Sequence, residues 1–133
     1  MQLMGPRAGG SPAIAQHFAR TPAAPADARR MVANRFGELL APDTLDDVLL
    51  VVSELMTNAV RHGEGGVQLR LAFKKDCVMG QVTDEGSWCD RGPRDDDPAR
   101  FGGHGLRIVG HVAERWGIGE DRTNVWFHIL AQQ

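Results

Sequence analysis

The segment from Thr44 to Gly63 constrains the fold more than any other part of the chain. Leu45, Val48, Leu49, Val52, Leu55, Met56, Ala59 and Val60 recur there at three- and four-residue steps. That is the period of a helix burying one broad face. Thr44 is placed to cap it, Asp47 sits at the spacing of a capping box, and Asp46 and Asp47 suit the positive end of the helix dipole. Gly63 ends it. Glu54, Asn58 and His62 follow at intervals of four, so they climb one edge beside the apolar arc. Such a helix needs a second apolar layer beneath it. Its polar edge is either a solvated stripe or part of a site.

The second layer is legible as strands. VQLRLAF (67–73) alternates apolar and polar residues, CVMGQVTD (77–84) reads as its hairpin partner through a KKD turn, and TNVWFHIL (123–130) closes the chain. AIAQHFA (13–19) is a candidate first strand before the breaker TPAAPAD. Two further helices are expected. The first starts at Asp27, with Ala28, Met31, Val32, Phe36, Leu39 and Leu40 inward, and Pro42 breaks the chain after it. The second is HGLRIVGHVAERWG (104–117), with Leu106, Ile108, Val109, Val112, Ala113 and Trp116 inward. The fold class is α+β, a two-layer α/β sandwich whose mixed, mostly antiparallel sheet carries helices on one face. At 133 residues, one domain over 13–133 is expected behind a flexible Gly- and Pro-rich tail at 1–12.

Composition narrows the functional classes. A formal net charge of −2 gives no electrostatic reason for direct nucleic-acid binding. No apolar run is long enough to span a bilayer, and the N-terminus lacks the apolar core of a signal peptide, so a cytoplasmic protein is expected. Cys77 and Cys89 make neither a disulfide framework nor metal-site spacing and are expected to be reduced. There is no HExxH pattern, Ser53 lacks a nucleophile elbow, and His17, His104, His111 and His128 show no ligand spacing.

Two further polar clusters join the helix edge. Asp84 ends a strand with Gly86 two residues on, which suits either a turn or a carboxylate accepting a hydrogen bond from a ligand amino group. Gly102, Gly103 and Gly105 lead into the third helix, where backbone N–H groups can cradle phosphate; a loop feeding a helix is the plainer alternative. Between them CDRGPRDDDPAR (89–100) has no apolar period, as in a lid or a segment without function.

The order Glu54-x-x-x-Asn58-x-x-x-His62, then Asp84-x-Gly86, then Gly103-His104-Gly105-Leu106 resembles the nucleotide-binding boxes of the GHKL superfamily of ATPases. Within it, SELMTNAVRHG and the closing ERWG…TNVWF look most like bacterial anti-sigma-factor serine-protein kinases, the small single-domain ATP-binding regulators of actinomycetes. The resemblance implies a Bergerat-type ATP-binding fold, with ATP and Mg²⁺ as cofactors. It implies Asn58 as Mg²⁺ ligand, Glu54 as general base, Asp84 on the adenine amino group with Gly86 shaping the pocket, and residues 89–102 as the ATP lid. Gly102, Gly103, His104, Gly105 and Leu106 would lie at the phosphates, His62 on the phosphate side, Arg100 at the γ-phosphate, and Thr123 among the ATP contacts. The first glycine box reads DEGSW, without the second glycine of the longer form.

The implied function is transfer of the ATP γ-phosphoryl group to a serine of a small antagonist protein, together with sequestration of a sigma factor, with a homodimer possible and no membrane partner. A nucleotide-binding or contact-only partner-switching module without kinase activity is the alternative. The absence of a preceding phosphoacceptor-histidine helix argues against a complete histidine kinase. Arg29, Arg30 and Arg35 lie mainly off the first helix's apolar stripe, facing solvent or a partner.

Overall fold

A computed structural model describes residues 13–85, 104–119 and 124–131. In chain order they form β1 (Ala13–Phe18), α1 (Ala24–Phe36), α2 (Pro42–His62), β2 (Val67–Lys74), β3 (Cys77–Asp84), α3 (His104–Val112), β4 (Arg115–Ile118) and β5 (Asn124–Leu130). The strands make one sheet in the order β1-β2-β3-β5-β4, and every neighbouring pair is antiparallel. The α+β reading holds, with a sheet more uniformly antiparallel than expected.

Strand alternation sorts the sheet into two faces. Val67, Leu69, Leu71, Val78, Val82, Phe127 and Ile129 point inward and are buried. They meet Val32 and Phe36 of α1, Val48, Val51, Val52, Leu55 and Met56 of α2, and Leu106 and Val109 of α3 in a single core. Gly80 sits where this packing is tightest. A Cβ there would stand 2.5 Å from both Leu71 Cδ2 and Phe127 Cζ, so glycine lets the two large side chains close over the strand. The β2–β3 hairpin turns on Lys75 and Asp76, both left-handed at φ 53° and 63°, as a two-residue type I′ turn requires.

Three boundaries differ from the sequence reading. Pro42 opens α2 and does not merely end the preceding helix. Ala41 is the extended N-cap, and Leu45 N–H donates to its carbonyl at 2.9 Å. Proline suits that first helical position because its φ is preset and its missing N–H is not needed. Thr44 is therefore no cap: it lies inside the first turn, fully buried. α1 likewise begins at Ala24, with Pro25 in its first turn, and it stops at Phe36, leaving Leu39 47% exposed.

The third difference is β4. The expected helix over 104–117 ends at Val112, and Glu114 N–H donates to the carbonyl of His128 at 2.8 Å, drawing the chain into the sheet. Trp116 does face inward, but from a strand, opposite Phe127. Four residues are too few for alternation to stand out against a helical period running into them.

Candidate functional site

The site is built on the second half of α2. Its apolar arc packs on the sheet, so the edge carrying Glu54, Asn58 and His62 is held half-buried along the flank of the core. The three residues span about 12 Å of helix at the usual rise. Asn58 Nδ2 is fully buried and has no hydrogen-bond partner among the described residues. Burying an amide donor without a partner is unfavourable by about 1–3 kcal/mol. Such a group marks either strain or a place where a ligand completes the bonding. His62 Nε2 is buried on the same edge.

The end of α2 is pinned to the end of β3. Asp84 is only 6% exposed, and a Cβ on Gly63 would stand 2.7 Å from its Oδ2 and 2.5 Å from the carbonyl oxygen of Ala59. Gly63 is thus the spacer that lets the last turn of α2 close on the Asp84 carboxylate. Glu85 N–H donates to the carbonyl of Glu64 at 2.9 Å and fastens the junction. Gly65, at φ +66°, turns the connection over Glu85. The sequence showed Gly63 only as a helix end, and nothing local in it signals contact with a residue 21 positions away.

The structure therefore brings Glu54, Asn58, His62 and Asp84 along one line, with Glu54 at one end and Asp84 at the other. His62 adjoins Gly63 and so lies at the Asp84 end of this edge. α3 opens at His104, so Gly102 and Gly103 directly precede it and Gly105 falls in its first turn. Leu106 is 2% exposed and its side chain belongs to the core. Gly86, Arg100, Gly102, Gly103, Thr123 and the whole of the expected lid at 89–102 lie outside the described residues, as does Cys89. Among the described residues no three His, Cys, Asp or Glu side chains converge as a metal cage. The donor set on α2, one carboxamide beside one carboxylate, fits instead a Mg²⁺ that keeps waters and leans on substrate phosphates.

The comparison with known families decides what this arrangement belongs to. The histidine kinase-like ATPase domain matches residues 18–129, nearly all of the described fold. The chain belongs to the histidine kinase-like ATPase family. No match was found among curated proteins. Among solved structures, this histidine kinase-like ATPase domain is similar to the crystal structure of the RsbU and RsbW domains of Rv1364c from Mycobacterium tuberculosis, with a TM-score of 0.69 and 19% identity. The alignment covers 93% of this chain but 34% of that one, so the domain spans about a third of its neighbour's length. At that identity the likeness speaks for the fold. Membership in the family implies ATP binding. Among the described residues no helix is long and apolar enough to cross a membrane.

Proposed function

We propose that this domain is an ATP-dependent regulatory kinase of the anti-sigma type, transferring the γ-phosphoryl group of ATP to a serine of a small antagonist protein and sequestering a sigma factor. The observation that carries the reading is the edge of α2, where Nδ2 of Asn58, buried and without a partner among the described residues, lies one turn from Glu54. Amide oxygen and nitrogen exchange on a half-turn, so the same side chain can offer Oδ1 to Mg²⁺. The metal, when bound, supplies charge neutralisation at the phosphates.

Glu54 then has the position of a base. Its carboxylate takes the proton of the acceptor serine, whose oxygen forms the new bond to phosphorus while the bond to the bridging oxygen breaks and ADP leaves with that electron pair. Asp84 accepts a hydrogen bond from the adenine amino group at the far end of the edge. Gly102, Gly103 and Gly105 offer backbone N–H groups to the phosphates, Arg100 meets the γ-phosphate, and residues 89–102 close over the nucleotide.

Steady-state ATP hydrolysis tests the assignment of Glu54. Glu54→Gln is expected to keep Mg-ATP affinity and to lose turnover by about 10²–10⁴-fold, the usual range for a general base. Unchanged turnover would remove Glu54 from the mechanism. A wild-type protein that binds ATP without any turnover would make it a nucleotide-binding partner-switching module without kinase activity.

A further inference from the structure

Gly63, Glu64, Gly65 and Gly66 join α2 to β2, and two consecutive acids at the end of β3 pack against their glycines. Asp84 is the first, against Gly63. Glu85 is the second. A Cβ on Gly65 would stand 2.7 Å from the Cβ of Glu85 and 2.8 Å from its Cδ, and one on Gly66 would stand 3.2 Å from its Oε2. The same point on Gly66 is 3.6 Å from Nδ1 of His17, so the Glu85 side chain runs across the connection from β3 toward β1.

That course is not what an ordinary surface glutamate takes. Glu85 is exposed, and a long charged side chain in water keeps its rotamer freedom unless contacts hold it. Here it folds back over two glycines, while its own N–H donates to the carbonyl of Glu64 at 2.9 Å. The glycines answer it in turn. Gly65 sits at φ +66°, where its backbone already calls for glycine. Gly66 has no such conformation, and what leaves no room for a side chain there is the Glu85 carboxylate.

We propose that Glu85 is a positioning residue for the base end of the pocket: its side chain straps the α2–β2 connection to the end of β3 and so fixes where Asp84 presents its carboxylate. The claim rests on the reading of Asp84 as the adenine contact. Asp84 bears on the first glycine of the connection and Glu85 on the last two, so the connection cannot shift without moving both. A hydrogen bond weakens steeply as its distance and angle drift, so slack in this strap costs affinity for the base. Glu54 lies at the other end of the α2 edge, and the chemistry of bound ATP is left alone.

The test measures Mg-ATP and Mg-GTP affinity by calorimetry, and ATP turnover, on the full chain as wild type, Glu85→Ala, Glu85→Gln and Gly66→Val. Guanine carries a carbonyl where adenine carries its amino group, so the ATP-to-GTP ratio reads how well Asp84 is aimed. Glu85→Ala is expected to weaken ATP about tenfold, to narrow the preference over GTP, and to leave kcat within about twofold, a loss in binding and not in chemistry. Glu85→Gln keeps the length of the strap and is expected to stay within about twofold of wild type. Gly66→Val fills the place of the carboxylate, so it should reproduce the loss in wild type and add less than about twofold to Glu85→Ala. Wild-type affinity and selectivity in Glu85→Ala, or a fall in kcat at an unchanged ratio, overturns the proposal and leaves the ATP site standing. No ATP binding by wild type overturns the adenine reading and the positioning role with it. Hydrogen exchange of the residue 85 amide, which needs no nucleotide, then shows whether the strap itself forms: protection lost in Glu85→Ala keeps it as a device of the fold, and equal protection removes it.

Discussion

At the scale of single residues, Gly63 and Asp84 set how α2 closes on β3. Any side chain at 63 must displace the Asp84 carboxylate or the last turn of α2. Gly63→Ala is therefore expected to lower stability by about 1–3 kcal/mol, the usual range for overpacking, and to weaken ATP binding at the same time. Denaturant unfolding and calorimetry on one variant check both; a normal ATP affinity would separate Gly63 from the site. Asp84→Asn should leave the fold intact but weaken ATP binding about 10–100-fold, as expected for a lost charged hydrogen bond. The identity of Asp84 was legible in the sequence and its burial was not. The pattern VTDEG suits a strand-end turn equally well, and only the approach of α2 turns that carboxylate into a buried one. Asp47 illustrates a different residue effect. Burial, then Asp43 and Asp46 nearby, push its carboxyl above the ordinary range. The native state thus holds this proton more tightly than the unfolded chain, so ionised Asp47 detracts from stability above its raised pKa, and the deficit fades as pH falls through it. Asp47→Asn is expected to stabilise the protein near neutral pH by no more than about 0.5 kcal/mol, as for surface sites, with the gain vanishing on acidification. A gain that persists in acid would contradict this origin.

At the scale of elements, the strands with clear alternation were readable almost to the residue. CVMGQVTD is β3 as it stands, and VQLRLAF is β2 but for Lys74. Helix ends were less legible because two start signals competed at the head of α2. Thr44 with Asp47 has the look of a cap, while Pro42 fits the first turn; burial of Thr44 against the core decided for Pro42. That assignment has a direct consequence. Ala41 is an extended N-cap with no side-chain hydrogen bond, so Ala41→Ser is expected to add about 1 kcal/mol by supplying the missing acceptor. Equilibrium denaturation reads this, and an unchanged or lowered midpoint would return the helix start to Thr44. β4 escaped the sequence because Arg115–Ile118 is short and its neighbours in pairing lie outside the local pattern. What makes it a strand is the bond from Glu114 to His128, a contact no window of sequence contains.

At the scale of the whole molecule, the sandwich explains why the site lies where it does. Among the described residues three helices cover one face of a five-stranded sheet, and α2, the longest of them, packs at the centre with an edge left over. The edge cannot be fully solvated because its neighbours are core residues, and it cannot be apolar if it is to hold a metal and a base. The outer sheet face carries Arg70, Gln81, Trp126 and His128 and takes no part in the site. The order of the three boxes was legible because their residue types are specific in combination. The closing of α2 on β3 was not, since it depends on Gly63 meeting Asp84 across the fold. In the proposed function this edge is one wall of a Mg-ATP site. Isothermal calorimetry with ATP, with and without Mg²⁺, on wild type and Asn58→Ala tests it most directly. Binding is expected to require Mg²⁺ and to weaken at least about tenfold, or 1.4 kcal/mol, in Asn58→Ala. Binding that ignores both Mg²⁺ and Asn58, or no binding at millimolar ATP, would contradict it.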